Sequence, residues 1–289
     1  MRSRPIKRHK TRRQRGGQKP PIIVLQLRWG FGNQIIQYFV GRALQKKFGY
    51  NLYILPAVEN VHANNRDYRD LFIHGKKIEK IPDNFTDSYV VNKNGEPLKI
   101  SDIPEGKNIF IERVGHFYEV FEDIMPELAG ELNSTLAKRY PNLKPASIKN
   151  GFIHVRRGDT IQAGWSHTFD FFNKALIMAN KTSTVETWHI FSDDLKWCKE
   201  QSWDKTKKIK FVDESDEIKC VALMSRCKGG AIIGISTFSW AGAMLGANTN
   251  KNSVIIANIG MLKHSDGYKH IGPSHWTYLN DEGNEQEYK

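Results

Sequence analysis

Gly151-Phe-Ile-His-Val-Arg-Arg-Gly-Asp-Thr160 is the stretch on which the reading of this chain turns. The apolar run Phe152 to Val155 predicts a buried strand that leads straight into two arginines and then Gly158-Asp159. Side chains alternate along a strand, so His154 and Arg156 should share one side. Arg157 then falls on the other side, or at the turn that Gly158 permits. Two guanidiniums at the carboxyl end of a buried strand call for an anion, and phosphate suits their bidentate fork. A structural ion pair between Arg157 and Asp159 explains the same residues without any ligand. The rest of the chain has to decide between these accounts.

Downstream of this stretch, strand and helix patterns alternate cleanly. Strands are predicted at Phe152–Val155, Thr187–Phe191, Ile209–Val212, Ala231–Ile235 and Val254–Ala257, with helices at Thr168–Asn180, Leu195–Trp203, Glu217–Arg226 and Phe238–Leu245. Repeated β-α units imply a doubly wound parallel sheet, whose ligands bind beyond the carboxyl ends of the strands. The polar residues fall at those ends. The first strand ends in Arg156-Arg157, the second in Ser192-Asp193-Asp194, and the fourth in Ser236-Thr237-Phe238-Ser239. Hydroxyls and free N–H groups at a helix start make a phosphate seat. A carboxylate at Asp193 or Asp194 can accept hydrogen bonds from the edge of guanine. Taken singly, Ser192–Asp194 reads equally well as a helix N-cap and Ser236–Ser239 as a capping turn. Together they outline a nucleotide diphosphate site. The chain has no Gly-x-x-x-x-Gly-Lys-Ser/Thr loop, which disfavours kinase or ATPase chemistry, and no Asp-x-Asp clamp for a metal-bound diphosphate. No metal ligands are predicted, and arginine is expected to neutralise the phosphates.

Upstream, Ile22-Ile-Val-Leu-Gln-Leu27 predicts another buried strand, followed by Arg28-Trp29-Gly30-Phe31-Gly32-Asn33-Gln34. Ile35, Ile36, Phe39, Val40, Ala43 and Leu44 have helical spacing up to Gly49, and Asn51–Leu55 closes a βαβ unit. Gly30-x-Gly32 is not a dinucleotide fingerprint, because Ile35 holds the place of the third glycine and the nearest acid after the second strand is Glu59. The loop can still let a ligand approach its backbone, with the helix N-terminus favouring an anion and Asn33 and Gln34 adding amide contacts. A tight turn with Asn33 as N-cap is the competing account. From Val58 to Lys149 the pattern weakens into loops such as Asn92–Pro97. A strand is expected at Ile109–Val114, then the aromatic cluster Gly115-His-Phe-Tyr118, and a helix from Pro126 to Tyr140. Pro141–Pro145 is the best boundary. The expected organisation is therefore a tail at 1–20, one domain at 21–145 and a second at 146–289.

Composition adds a qualification about charge. The net charge is +12, yet residues 1–19 alone carry nine Lys and Arg and no acid, which leaves the other 270 residues at +3. Without an apolar core the tail is expected to be disordered, with nucleic acid, anionic membrane or a targeting receptor as possible anionic partners. No apolar run reaches the roughly 18 residues of a membrane span, and no secretory h-region is present. Cys198, Cys220 and Cys227 fit neither a disulfide framework nor a zinc spacing, and read as thiols of a reducing compartment. These features suggest a soluble, cytoplasmic protein of bacterial or viral kind.

His154-Val-Arg-Arg-Gly-Asp159 resembles the His-x-Arg-Arg-Gly-Asp motif of the α-1,2-fucosyltransferases, glycosyltransferase family 11. Gly30-Phe-Gly-Asn-Gln34 with Gly41-Arg-Ala-Leu44 is similar to that family's opening stretch, and Gly115–Tyr118, Phe191–Asp194 and Ser236–Trp240 match further blocks in order. The resemblance spans about residues 22–278. Arg28-Trp29 departs from the small residues usual before the glycine loop, Thr160 stands where Tyr is common, and the basic tail is foreign to the pattern. The resemblance implies a GT-B-like α/β fold with two Rossmann-like domains, and an inverting, metal-independent transfer of L-fucose from GDP-β-L-fucose to the 2-hydroxyl of a galactose-type glycan. GDP-fucose would be a substrate, with no cofactor, and its site would lie in the C-terminal half with the glycan acceptor on the N-terminal side. The resemblance places Arg156 on the donor diphosphate, His154 and Asp193 or Asp194 near guanine, and Ser236, Thr237, Phe238 and Ser239 near the phosphates. Catalysis is expected from Arg156, supported by Arg157. For the base that takes the acceptor proton, Asp159 is the first candidate, although it could instead orient Arg157, and His116 and His167 follow. Another GDP-sugar transferase on this fold, or a nucleic-acid-binding protein using the tail, are the competing readings.

Overall fold

The computed structural model describes residues 20–59, 66–91, 98–112, 118–262 and 272–288. The basic tail, the loop Asn92–Pro97, and residues 113–117 with most of the Gly115–Tyr118 cluster and His116, lie outside them.

The first sheet is built from β1 (Ile22–Arg28), β2 (Asn51–Val58), β3 (Lys76–Lys77), β4 (Ser88–Val91) and β5 (Asn108–Ile111). Its order is β3-β2-β1-β5-β4 and every pairing is parallel. Ile23, Val24, Leu25 and Leu27 have no exposed surface, the near-continuous apolar run that burial on both faces demands. Helix α1 (Phe31–Phe48) crosses from β1 to β2 and ends at Gly49, whose φ of 71° lets its N–H close on the Gln45 carbonyl. Helix α2 (Met125–Arg139) follows β5, with Leu128, Leu132 and Leu136 buried along one stripe.

The second sheet holds β6 (Asn150–Val155), β7 (Thr187–Ser192), β8 (Lys208–Phe211), β9 (Gly230–Ile233), β10 (Val254–Asn258), β11 (Thr277–Leu279) and β12 (Glu285–Gln286). The order is β12-β11-β10-β9-β6-β7-β8, parallel except for the last pair, β11 and β12. The crossovers are α4 (Phe169–Thr182), α5 (Leu195–Glu200), α6 (Glu217–Met224) and α7 (Thr237–Leu245), with a five-residue α3 (Gly158–Gln162) directly after β6. The two mainly parallel sheets are the GT-B-like α/β architecture that the family resemblance implies. The short strands β3, β4, β11 and β12 carry too few residues for a visible period. The α5 helix stops before Trp203, whose indole N–H reaches back to the Cys198 carbonyl at 2.7 Å.

Two details of connectivity locate the site. In the second sheet the chain runs β6-β7-β8 in one direction, then returns to the other side of β6 for β9 and β10. The reversal opens a crevice between the carboxyl ends of β6 and β9. In the first sheet the same reversal falls between β1 and β5. One apolar core joins the sheets: Phe39 of α1 and Phe121 lie 6.5 and 6.1 Å from Trp240 of α7, ring centre to ring centre. A polar clasp joins them as well, with Arg66 and the Tyr68 and Tyr140 hydroxyls all bonded to Asp216 or Glu217 at the start of α6. No helix among the described residues is long and apolar enough to cross a membrane.

Candidate functional site

The switch point of the second sheet brings together the arginine stretch after β6 and the hydroxyl turn after β9. Arg156 is the first residue beyond β6, and α3 begins two residues later. Asp159 is the second residue of α3, three residues on from Arg156, and Arg156 Nε and Nη2 donate to Asp159 Oδ1 at 3.1 and 2.7 Å. Arg157 turns the other way, toward β7. Its backbone N–H donates to Asp193 Oδ1 (2.8 Å), its Nε donates to Asp194 Oδ2 (3.2 Å), and its guanidinium stacks 3.9 Å above the Trp197 ring. This corrects the expected Arg157–Asp159 ion pair: Asp159 serves Arg156, and Arg157 is the arginine tied into the protein.

The two aspartates after β7 are accordingly occupied. Asp194 is the N-cap of α5, accepting from the Trp197 N–H at 3.0 Å, as well as the partner of Arg157. Asp193 lies so close under the turn that a Cβ on Gly158 would come within 2.8 Å of its Oδ2. His154 is buried beneath the crevice, with its ring 5.3 Å from that of Phe238. Burial, reinforced by the neighbouring Arg156 charge, pushes its pKa down to about 3, so the ring is neutral. Its Nδ1 is buried without a hydrogen-bond partner.

At the β9–α7 turn, Ser236 is the N-cap, yet no side chain caps the helix and its first turn carries no acid. Ser236, Thr237 and Phe238 are half-buried along the crevice, whereas Ser239 is fully buried and donates its hydroxyl to the Ser236 carbonyl at 2.9 Å. Ser239 therefore does not face a ligand, which corrects its place among the expected phosphate contacts. The physical reason is helical geometry, which carries the third residue of α7 round to the core side.

The glycine loop meets this turn directly. A Cβ on Gly32 would sit 2.4 Å from the Phe238 nitrogen and the Thr237 carbonyl carbon. The space that a ligand was expected to use at Gly32 is filled by the backbone of α7. Gly30 does open onto free space, and it is Gly30, not Asn33, that is the N-cap of α1. Asn33 is half-buried in the first turn of that helix. Gln34 is fully buried; its Nε2 donates to the Trp29 carbonyl (2.7 Å) and its Oε1 has no partner.

Sequence reasoning passed over a cluster at the switch point of the first sheet. Arg28, at the end of β1, reaches Glu59 after β2 (3.0 Å) and the side chain of Glu112 after β5 (3.8 Å), while its Nε donates to the Glu112 carbonyl (3.0 Å). Trp29 and Glu59 both adopt left-handed backbone, with φ of 61° and 55°. The signal available was Arg28-Trp29 itself, a charged and bulky pair where small residues are usual. His167, a candidate base, has both ring nitrogens committed: Nδ1 contacts Asp281 Oδ1 at 2.6 Å and Nε2 accepts from the Ile235 N–H at 2.9 Å. It is not poised to take a substrate proton.

The sequence model described as glycosyl transferase family 11 matches residues 12–280. The chain is 26% identical over 265 residues to the α-1,2-colitosyltransferase of Escherichia coli, covering 78% of this chain and 87% of that protein. It is 32% identical over 114 residues to the O-antigen biosynthesis glycosyltransferase WbnK of Escherichia coli, but that match spans only 36% of each chain. Among solved structures it is similar to POFUT1 in complex with GDP-fucose, with TM-score 0.48 and 10% identity over 83% of this chain and 98% of that one. It is also similar to the NodZ α-1,6-fucosyltransferase soaked with GDP-fucose, with TM-score 0.48 and 14% identity over 79% and 93%. With the family match running from residue 12 to residue 280, this protein belongs to glycosyl transferase family 11.

Proposed function

We propose that the chain transfers L-fucose from GDP-β-L-fucose, with inversion, to the 2-hydroxyl of a galactose-type glycan. The observation that carries this reading is the arrangement at the β6/β9 switch point. A solvent-facing guanidinium, Arg156, stands across from the uncapped N-terminus of α7, a pair suited to a diphosphate. As the glycosidic bond breaks, the GDP leaving group gains charge, and a fixed guanidinium holds it more tightly in the transition state than in the ground state. His154 Nδ1 and Asp193 are assigned to the guanine side, Ser236 and Thr237 to the phosphates, and Gly30 with Asn33 to the wall shared with the acceptor, with the buried Gln34 holding that loop from behind through the Trp29 carbonyl. Asp159 is the first candidate to accept the proton of the acceptor hydroxyl, since a diphosphate arriving at Arg156 competes for the cation that holds it. The acceptor is assigned to the crevice beyond β1 and β5, where Arg28, Glu59 and Glu112 stand.

A second reading changes only the donor sugar. The likeness to an α-1,2-colitosyltransferase over most of both chains favours a colitosyl donor on the same site. One experiment separates the readings. Purified protein is incubated with GDP-fucose or GDP-colitose and an array of galactose-terminated acceptors, and products are followed by mass spectrometry. Transfer from GDP-fucose with a 1,2 linkage supports the first reading, and exclusive use of GDP-colitose supports the second. Failure with both, in a protein that binds GDP, would move the donor to another GDP-sugar.

A further inference from the structure

We infer that His167 is a positioning residue for the diphosphate seat, acting on the β9–α7 turn through the Ile235 N–H. This rests on the assignment of that turn to the donor phosphates. Between the end of β9 and the N-cap Ser236 lie only Gly234 and Ile235, so the placement of the turn depends on how those two residues are held. They are held from two sides. On one, the Cδ2–Nε2 edge of the His167 ring lies against Gly234, where a Cβ would come within 2.3 Å of Cδ2, and Nε2 accepts the Ile235 N–H at 2.9 Å. On the other, Gly260 packs against the Ile235 side chain, where a Cβ would meet Cδ1 at 2.2 Å.

The ring is itself fixed by its far nitrogen. An Nε2 that accepts a backbone N–H carries no proton, so in the neutral ring Nδ1–H donates to Asp281 Oδ1 at 2.6 Å. Asp281 also accepts from Asn258 Nδ2 at 2.9 Å, and Asn258 Oδ1 accepts the Gly260 N–H at 2.8 Å. The chain of contacts thus runs from the turn through His167 to Asp281, and back through Asn258 to the residue that packs on Ile235. Phe171 and Phe172 of α4 cover the ring, with ring centres 5.1 and 6.1 Å away, and Asp281 is the charged group that faces it. Burial holds the His167 pKa below its ordinary value, against the opposing pull of Asp281. Protonation would place an Nε2–H against the Ile235 N–H, two donors face to face, and release the turn.

The test is calorimetric binding of GDP to the full-length protein at pH 7.5 and 5.5, with thermal melting in parallel. His167→Ala removes the acceptor for Ile235 and should weaken GDP on the order of tenfold at pH 7.5, the scale of one hydrogen bond. His167→Gln places Oε1 where Nε2 stood and should restore GDP binding to within about threefold. Having no ring to protonate, it should also lose less affinity at pH 5.5 than is expected of the wild type. Asp281→Ala, at an exposed position and so compatible with folding even if His167→Ala is not, frees the tautomer and should weaken GDP severalfold. Equal GDP affinity in wild type, His167→Ala and Asp281→Ala, with only the melting temperature changed, would make the contact purely structural and overturn the inference. An acid limb identical in His167→Gln and wild type would do the same. A wild type that binds no GDP at all overturns the assignment of the site, and this inference with it.

Discussion

Gly32→Ala isolates the contact that joins the two halves of the site. A Cβ there would approach the Phe238 nitrogen and the Thr237 carbonyl carbon to 2.4 Å, whereas ordinary contact begins near 3.4 Å. The first turns of α1 and α7 would have to part by about 1 Å, and because the opposing atoms are backbone, no rotamer change absorbs the shift. Overpacking of this kind costs about 1–3 kcal/mol, and the upper end is expected here. On a scale of about 2–4 °C per kcal/mol, the melting temperature should fall by roughly 5–10 °C. The same shift carries Ser236 and Thr237 away from Arg156, and a misplacement of about 1 Å can lower turnover roughly 100-fold. The assay is kcat/KM for transfer from GDP-fucose, alongside thermal melting. Gly30→Ser is the control. That residue has open space around it, ordinary extended backbone and the N-cap position of α1, so its melting temperature should match or slightly exceed the wild type. Wild-type melting and turnover in Gly32→Ala would refute the contact. Equal destabilisation by Gly30→Ser would refute the attribution to α7.

Arg156→Lys keeps the charge but loses the fork, and kcat should fall by on the order of 10²-fold or more; near-wild-type turnover would remove Arg156 from the chemistry. Asp194→Ala strips the N-cap of α5 and the partner of Arg157, and should cost about 1–2 kcal/mol in urea unfolding. An unchanged midpoint would mean that the α5 start is held by other contacts. The depressed pKa of His154 predicts an acid-sensitive fold: as pH falls, the unfolded chain binds the proton first. Stability is therefore fully present above about pH 6.5 and is lost at roughly 1.4 kcal/mol per pH unit on the way down to about pH 3. The buried ring of His167 and the half-buried ring of His189 act in the same direction. Urea unfolding between pH 7 and pH 5 should show a shallower slope in His154→Phe, and a slope identical to wild type would reject His154 as its source.

The β-α alternation from residue 150 onward was legible because the central parallel strands, buried on both faces, are short apolar runs, and β6 to β9 are each followed by a helix. The first βα unit was legible for the same reason. Strands β3 and β12 hold two residues each, and nothing in two residues distinguishes strand from loop. At the site, the residues were legible but their partners were not. Which arginine takes Asp159 depends on α3 starting at Gly158, a phase that a five-residue helix does not print in its sequence. Gly32 read as room for a ligand because a glycine shows only that a side chain is unwelcome, not what fills the gap. The Arg28, Glu59 and Glu112 cluster was hidden because its members are more than 80 residues apart at the extremes and meet only once the strand order is known.

Most of the carboxylates expected to read a base or take a proton are committed to the protein. Asp194 caps α5 and pairs with Arg157, and Asp193 accepts the Arg157 N–H. The effect is to leave positive character at the crevice from the Arg156 guanidinium and the amides at the start of α7. The Arg156–Asp159 pair does not cancel this. Both side chains are substantially exposed, and an exposed pair contributes only about 0–1 kcal/mol, far less than a doubly charged diphosphate gains from the same guanidinium against a helix N-terminus. Asp159 can therefore hold Arg156 in the direction of an incoming phosphate without competing effectively once it arrives. That keeps a long side chain preorganised in an open crevice, and it explains why the aspartate stands in the first turn of α3, three residues after Arg156.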